Sequence, residues 1–231
     1  MSIEFLPNNA IATLIYPLIA VFIYLGVLVI LAEALSRLSD DPELTRKVVH
    51  IGSGNVILLA WWLDISRSVI VGAAIIAAAI AIVSYIIPIL PSIESVGRKS
   101  FGTLFYAISM GVLAGCFWQN SPQYAVIGIL IMAWGDGMAA IIGQRFGKHK
   151  YRVGQVSKSW EGSFAMAVAA ATVTGVILVV VEGNSWQTWT ISFVVALVAT
   201  VLEAFSKLGI DNLTVPVAGG FLCFFAVEAL L

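Results

Sequence analysis

Charged residues are scarce in this sequence, and their scarcity argues against a water-soluble protein. Asp, Glu, Lys and Arg together make up 11% of the 231 residues, whereas hydrophobic residues make up 60%. A soluble domain needs a polar surface that this composition cannot supply. Several apolar runs approach the roughly 20 residues that a bilayer span requires. The sequence therefore predicts an integral membrane protein.

Cysteine and histidine are also rare, which limits disulfide and metal chemistry. The chain has 2 cysteines and 2 histidines. Cys116 and Cys223 stand in apolar runs without the spacing of metal ligands, so we expect buried, unreactive thiols. His149 has no second histidine close to it in the sequence, so metal ligation by His149 is not expected.

Strict alternation of polar and apolar residues is absent, which excludes a lipid-facing β-barrel. The apolar runs predict helices instead. About eight of them are candidate transmembrane helices, and seven are possible because two are short. They cover residues 13–35, 47–63, 69–88, 101–118, 124–143, 160–181, 187–205 and 215–231. We therefore predict an all-α, polytopic membrane helix bundle that forms a single domain over residues 1–231.

The basic residues predict the orientation of this bundle. If the N-terminus lies outside and the spans alternate, all but Arg67 of the 12 Lys and Arg residues fall on the inner side. Such a bias follows the positive-inside rule. The polar stretch 136–162 is therefore expected to face the cytoplasm.

The stretch from Asp136 to Gly162 carries more polar chemistry than any other loop. Asp136 lies within a predicted span, where a carboxylate is costly and by default marks a functional site. Small residues suit either close helix packing or the approach of a ligand to the backbone, and the sequence leaves both open. They follow on the same helix face at Ala139, Ala140, Gly143 and, one turn later, Gly147.

A basic run and a helix start follow within the same stretch. The run 148–152 fits either an anchor for anionic lipid or contact with phosphate, and its position favours phosphate. Ser157 or Ser159 is expected to cap the next helix, whose free N–H groups favour an anion. Lys158 and Glu161, at i and i+3, are expected on one helix face. They form either a structural ion pair or a pair of ligands for phosphate and metal.

Two other segments point to the same predicted membrane face. Arg46, Lys47 and His50 begin the second span. Glu203 ends the seventh, and the loop after it offers the oxygen ligands of Asp211 and Asn212. Acids and bases from distant spans thus gather on one side, while few polar residues lie at mid-depth.

These segments resemble the nucleotide-site signature of CTP-dependent lipid-alcohol kinases, a group that contains phytol, farnesol and dolichol kinases and CTP-dependent diacylglycerol kinases. The resemblance covers residues 46–216, nearly the whole chain. It rests on Asp136-x-x-Ala139-x-x-x-Gly143-x-x-Phe146-Gly147-Lys148, Lys158-Ser159-x-Glu161-Gly162, Arg46-Lys47-x-x-His50, Gly102-Thr103-x-x-Tyr106 and Glu203 through Asp211-Asn212-Leu213-Thr214-Val215-Pro216.

The resemblance implies transfer of the γ-phosphate of CTP to the primary hydroxyl of an isoprenoid alcohol. Phytol is the expected acceptor, with geranylgeraniol and farnesol as further candidates, in a cell or thylakoid membrane. It implies Mg²⁺ as cofactor, and membrane lipids but no nucleic acid as further partners.

The resemblance also implies roles for particular residues. The implied catalytic residues are Asp136, Lys158 and Glu161. Phosphate or nucleotide contacts are implied for Arg46, Lys47, Gly143, Gly147, Lys148 and Lys158. Metal ligation is implied for Asp136, Glu203 and Asp211, with Glu161 as a further acid and with His50 and Asn212 as other candidates.

Two alternative functions remain open. CDP-diacylglycerol synthases share the 136–162 pattern, but they carry a C-terminal segment rich in Asp, Lys and Arg. Residues 206–212 lack the paired bases of that segment, so the kinase is preferred. A transporter or scaffold is the other alternative, because intramembrane acids also mark ion paths. The concentration of charge at one face, rather than at the midplane, disfavours it.

Overall fold

The computed structural model describes residues 8–39, 41–86, 101–154 and 156–231, with side chains from residue 15 onward. The described residues confirm an all-α membrane bundle. The helices are α1 (Asn8–Leu38), α2 (Pro42–Gly54), α3 (Val56–Trp62), α4 (Arg67–Ile86), α5 (Gly102–Phe117), α6 (Pro122–Leu130), α7 (Gly137–Phe146), α8 (Trp160–Glu182), α9 (Trp186–Ala204) and α10 (Asp211–Leu230).

Six helical segments of the described residues are long and apolar enough to cross a membrane. Two of the predicted spans are shorter than expected. The predicted span 47–63 is divided at Asn55 into α2 and α3, and the predicted span 101–118 forms the 16-residue α5. Arg98 and Lys99, which contribute to the predicted orientation, lie outside the described residues, and that orientation stays a prediction.

Helix α2 begins at a side-chain cap and ends at a glycine-rich break. One carboxylate oxygen of Asp41 accepts hydrogen bonds from the backbone N–H groups of Glu43 and Leu44, at 3.1 and 3.2 Å. At the other end, Gly54 lies so close to Ala133 that an added Cβ would overlap the Ala133 side chain. Glycine at this position therefore lets α2 approach the central span, and glycine also weakens the helix where it breaks.

The span from Pro122 to Phe146 is the centre of the bundle. Of the 18 consecutive residues that are most apolar in this span, 67% are buried, compared with 6% in the corresponding part of α1. Val126, Ile127 and Ile131 have no exposed surface. Helices α5, α8 and α10 pack around this span, so its end is surrounded by other elements.

A π-helical segment, Ile131–Asp136, joins α6 to α7 within the central span. A π-helical turn holds one more residue than an α-helical turn, and such turns are frequent at functional sites. Trp134 in this segment is exposed, and its Nε1 donates to Oδ1 of Asn55 at 2.8 Å. The segment ends at Asp136, so the widened turn sets the position of that carboxylate.

A β-hairpin that the sequence did not predict connects α7 to α8. Strands β1 (Lys150–Val153) and β2 (Val156–Ser159) pair antiparallel, with Tyr151 opposite Lys158. Gly154, in the turn, has a φ of 63°, which glycine adopts without strain. The ring of Tyr151 packs 5.0 Å from that of Trp160, between centroids. The hairpin is therefore fixed against the start of α8.

The hairpin corrects one expectation and confirms another. Lys158 and Glu161 do not share a helix face, because Lys158 belongs to β2 and Glu161 to the first turn of α8. Lys158 pairs with Glu203 instead of Glu161. Ser159 is the cap of α8, as expected, and its Oγ accepts from the N–H of Gly162 at 3.1 Å.

Candidate active site

Asp136 forms a buried ion pair with Lys47. The Nζ atom of Lys47 lies 2.5 Å from Oδ2 of Asp136, and the two residues are separated by 89 positions in the sequence. Nε2 of His50 lies 3.6 Å from the same oxygen. Lys47 and His50 stand on α2 close to one turn apart, so one face of this short helix presents both side chains to the end of the central span.

Lys158 and Glu203 form a second buried ion pair. The Nζ atom of Lys158 donates to both Oε1 and the backbone carbonyl of Glu203. Glu203 is buried near the end of α9, where it would be costly without a partner. The pair connects the hairpin to α9, which is a contact between residues 45 positions apart.

The two pairs belong to one group of charges, which we call the charge cluster: Lys47, Asp136, Lys158, Glu203 and Asp211. The carboxylate of Asp136 interacts electrostatically with Lys158, Glu203 and Asp211. Three acids therefore face two lysines, so a cation or an added phosphate would change how these charges are paired. Elements that are far apart in the sequence supply the members, namely α2, the π-helical segment, β2 and the ends of α9 and α10.

Asp211 and Asn212 lie at the start of α10 and hold the preceding loop. Oδ1 of Asp211 accepts from the side-chain nitrogen of Asn212 at 3.2 Å, and that nitrogen also donates to the carbonyl of Gly209 at 3.1 Å. The backbone N–H of Asp211 donates to Oγ of Ser206 at 3.0 Å. The amide of Asn212 is therefore engaged in local structure, while Asp211 faces the other acids.

Glu161 pairs with His149 and not with a member of the charge cluster. Its Oε1 atom lies 2.7 Å from Nδ1 of His149 and accepts from the backbone N–H of that residue at 3.1 Å. The contact fixes the chain between α7 and β1. The catalytic role predicted for Glu161 stays a prediction, and its contacts assign it first to holding the hairpin.

The predicted glycines lie in a close helix contact. A Cβ on Gly147 would overlap the carbonyl oxygen of Gly143, and a Cβ on Gly162 would lie 3.2 Å from Cα of Gly143. Helix α7 therefore packs directly on the first turn of α8, around the buried Ser159. Close packing accounts for these glycines, and their nucleotide contact stays a prediction.

The remaining predicted bases are exposed. Arg46 pairs with Glu43 at 2.6 Å on the surface of α2, and Lys148 is exposed before the hairpin. A small cleft between α2 and α7 leads from the surface to Lys47 and is lined also by Asp41, Glu43, Leu44, Ile141, Gln144 and Arg145. Arg145 is the base that shares this cleft with Lys47, whereas Arg46 and Lys148 do not line it.

The fit of Mg²⁺ to these residues depends on the nucleotide. No group of three or more His, Cys, Asp or Glu side chains in the described residues is spaced to hold a metal ion. Protein sites for Mg²⁺ commonly offer one or two carboxylates and leave the other positions to phosphate and water. Asp136 and Glu203 fit that arrangement, since each is a single carboxylate beside a lysine. Asp211 stays a prediction as a third ligand.

Comparison with known proteins decides the family. Residues 5–209 match the family model described as "Cytidylyltransferase family". The chain belongs to this family. No solved structure matches this cytidylyltransferase-family protein.

Relatives within the family carry kinase names. The chain is 51% identical to a phytol kinase of Synechocystis sp., over 87% of either chain. It is 32% identical to phytol kinase 1, chloroplastic, of Arabidopsis thaliana, over 77% of this chain and 64% of the relative. A probable chloroplastic phytol kinase of Triticum aestivum is 29% identical over 80% of this chain and 67% of the relative. The resemblance to lipid-alcohol kinases is therefore confirmed.

Tyr106 was not among the site residues predicted from the sequence. Its ring lies 5.9 Å from that of His50, between centroids, and its hydroxyl is buried. The sequence carried one signal for it, the Gly102-Thr103-x-x-Tyr106 segment of the resemblance, but no charge marks the residue. A neutral hydroxyl in an apolar helix cannot be distinguished from a packing residue without the fold.

Proposed function

We propose that this protein is a CTP-dependent phytol kinase. It transfers the γ-phosphate of CTP to the primary hydroxyl of phytol and releases phytyl phosphate, CDP and a proton. The observation that carries this proposal is the 51% identity to the Synechocystis phytol kinase over 87% of both chains. The relatives' names argue against the transporter and favour the kinase over the cytidylyltransferase reaction.

The charge cluster supports this chemistry. Phosphoryl transfer requires a protein mainly to position the reactants and to offset the charge of the polyphosphate. Lys47 and Lys158 are the buried cations for phosphate oxygens, and Arg46 and Lys148 are exposed cations at the surface beside them. When the phosphates approach, their oxygens compete with Asp136 and Glu203 for the lysines.

The carboxylates that lose their lysines to the phosphates are the residues that would hold Mg²⁺. Asp136 and Glu203 each lose a lysine partner in this exchange, and Asp211 lies within electrostatic range of both. When bound, Mg²⁺ supplies positive charge to the β- and γ-phosphates. The exchange keeps the buried acids paired both with and without nucleotide, which avoids an uncompensated charge.

The proposed substrate is apolar except for its hydroxyl, and the bundle fits such a substrate. The charge cluster lies at one end of a bundle whose outer surface is apolar along the spans. A lipid alcohol can therefore remain in the bilayer while its hydroxyl reaches the cluster. Geranylgeraniol and farnesol share this character, so the length and saturation of the chain are to be tested within the same assay.

Labelled CTP tests the proposed reaction. Purified protein with Mg²⁺ and phytol should transfer label from the γ position of CTP to the lipid and leave unlabelled CDP. A cytidylyltransferase attacks the α-phosphate, so label at the α position would enter the lipid and γ-label would leave as pyrophosphate. Lipid that gains α-label but no γ-label would overturn the kinase and favour the family's other chemistry.

The proposed orientation places the charge cluster on the cytoplasmic side. Its basis is the bias of Lys and Arg towards one set of loops. Lys150→Cys, in β1, and Ser121→Cys, at the opposite end of the bundle, allow a direct comparison in intact cells. Cys223 is buried as expected, but Cys116, which was expected to be buried, is exposed on α5, so the test uses a Cys116→Ser background. On that background an impermeant thiol reagent should label position 121 and not position 150. Preferential labelling of position 150 contradicts the orientation.

A further inference from the structure

Two polar atoms on the neighbouring rings of Tyr106 and His50 are buried without a hydrogen-bond partner in the described part of the chain. They are the hydroxyl oxygen of Tyr106, on α5, and Nε2 of His50, on α2. Buried polar groups in folded proteins nearly always have a partner, so an orphaned one requires an explanation. Two orphaned atoms on neighbouring rings offer hydrogen bonds that the protein does not itself use, and a small polar group can take them when the side chains separate to admit it.

The geometry places the Tyr106 hydroxyl on the membrane side of Asp136. Nε2 of His50 lies 3.6 Å from Oδ2 of Asp136, which is longer than a hydrogen bond. A Cβ on Gly54 would lie 3.5 Å from the Tyr106 hydroxyl and would also overlap Ala133. Ala133 precedes Asp136 by about one helical turn along the central span, towards the interior of the bilayer. The Tyr106 hydroxyl therefore lies deeper than the carboxylate.

The chemistry of this position fits a neutral hydroxyl better than a phosphate. A phenol donates one hydrogen bond, and a neutral imidazole nitrogen accepts one. An alcohol both accepts and donates, so a single hydroxyl satisfies both protein atoms. The neighbouring Gly54 and Ala133 offer no charge to a phosphate. Lysines, which do suit phosphate, instead pair with Asp136 and Glu203.

We propose that Tyr106 and His50 bind the acceptor hydroxyl, with the alcohol oxygen accepting from Tyr106 and donating to Nε2 of His50. The proposal rests on the proposed kinase function and assigns the substrate side of the same site. It divides the site by depth: the lysines bind the nucleotide phosphates at the membrane face, and the tyrosine and histidine hold the alcohol below them. Asp136 lies between the two ligands.

Tyr106→Phe tests the proposal with Thr174→Val as its matched control. Both changes remove a buried hydroxyl that has no partner in the described residues, but Thr174 lies in the middle of α8. With saturating CTP, Tyr106→Phe should lower kcat/KM for phytol by about tenfold, the upper range for one hydrogen bond. The KM for CTP and the thermal unfolding midpoint should not change. Thr174→Val should leave all three quantities unchanged.

A ligand without the hydroxyl distinguishes binding from packing. Phytane has the hydrocarbon chain of phytol but no oxygen, so its inhibition constant should be the same for the native protein and for Tyr106→Phe. His50→Asn, which removes Nε2, provides a second variant and should also lower kcat/KM for phytol while phytane inhibition is kept. Weaker inhibition by phytane in both variants would show that the side chains pack the site and would overturn the proposal.

The outcomes separate this proposal from the proposed function. If the native protein transfers γ-phosphate and Tyr106→Phe has an unchanged kcat/KM for phytol, the hydroxyl site is wrong and the kinase stands. If the native protein transfers γ-phosphate to no alcohol in the presence of Mg²⁺, the kinase itself is wrong. Equal losses in the phytol and CTP parameters, or a lower unfolding midpoint, would assign Tyr106 to structure and contradict the proposal.

Discussion

Ion pairs in two regions of this protein differ in burial although each joins a basic side chain to a carboxylate. The side chains of Lys47 and Asp136 are 9% and 17% exposed. Those of Arg37 and Glu33, on the surface of α1, are 77% and 61% exposed. An exposed pair contributes about 0–1 kcal/mol, because water and salt screen it. A buried pair is weak evidence for stability, because desolvation offsets much of the attraction.

The comparison shows where charge serves a purpose other than stability. Lys158 and Glu203 repeat the buried arrangement, with side chains 17% and 8% exposed. An apolar pair of similar volume would hold the same two elements at less cost. Burial of two such pairs at one end of the bundle is therefore explained better by ligand binding than by folding. In the remaining pair, His149 is 79% exposed, like the side chains on α1, while Glu161 is 26% exposed.

The largest effect is expected from removing the charge of Asp136. Asp136→Asn keeps the size of the side chain but removes the carboxylate between the two proposed substrates. We expect the rate of γ-phosphate transfer to fall at least about a hundredfold, or about 2.7 kcal/mol of transition-state stabilisation. Single-turnover assays with γ-labelled CTP measure it. Asp64→Asn, on an exposed residue with a φ of 51° that Asn tolerates, is the matched control.

Near-normal transfer by Asp136→Asn, with a folded protein, would remove Asp136 from the catalytic residues. It would also mean that buried and exposed ion pairs do not differ in functional importance, since the carboxylate of Asp136 would then be as dispensable for transfer as that of Glu33 on α1. A comparable loss in Asp64→Asn would instead show that the assay reports on general damage.

The second-largest effect concerns the stability of the protein. It distinguishes the contribution of the Lys158–Glu203 pair from that of each residue alone. Glu203→Leu leaves the buried Lys158 without its carboxylate, so we expect the free energy of unfolding to fall by about 3 kcal/mol. In the double variant with Lys158→Met, both charges are gone, and most of that loss should be recovered. Transfer activity should stay low in both. Thermal unfolding midpoints in detergent, beside γ-phosphate transfer, give the two readouts.

A double variant that is no more stable than Glu203→Leu would show that the lysine and the glutamate do not act as a pair. Recovery of activity together with stability would assign the pair to folding alone. Either result would show that the Lys158–Glu203 pair has no more functional importance than the surface pairs, although it is less exposed.

The smallest effect is expected at Glu161. Its partner His149 is exposed, and exposed pairs contribute little. Glu161→Gln keeps the hydrogen-bond acceptor towards His149, so we expect the rate of γ-phosphate transfer to change by less than about threefold. The same single-turnover assay measures it. A loss as large as that of Asp136→Asn would restore the metal or catalytic role that the sequence suggests for Glu161.

The sequence predicts the members of the site better than their partners. Asp136 and Lys47 are recognisable because a charge in an apolar run is costly and therefore marks a purpose. Their pairing across 89 residues is not predictable, because it depends on how α2 approaches the central span. Lys158 was expected beside Glu161, since helical spacing was extended over a segment that forms a strand. The hairpin could not be predicted from the basic run 148–152, because charged residues carry no signal of strand pairing.

The fold shows the same division. Apolar length predicts the bundle well, because a bilayer demands it. The break at Asn55 and the π-helical segment are not predictable from apolar length, because that length is the same whether a helix is regular, broken or widened. Tyr106 falls in the same class, since only packing shows that its hydroxyl lacks a partner.

The π-helical segment Ile131–Asp136 makes the site depend on residue count as well as residue type. Each residue of an α-helix advances its direction by about 100°. Deletion of one residue within the segment would allow a regular α-helix to form and would turn Asp136 away from α2, with every functional side chain still encoded. A substitution in this turn can have a small or a large effect, according to how much it changes the volume of the side chain. A change of length has no conservative form, so the number of residues between Leu130 and Gly137 is itself a functional constraint.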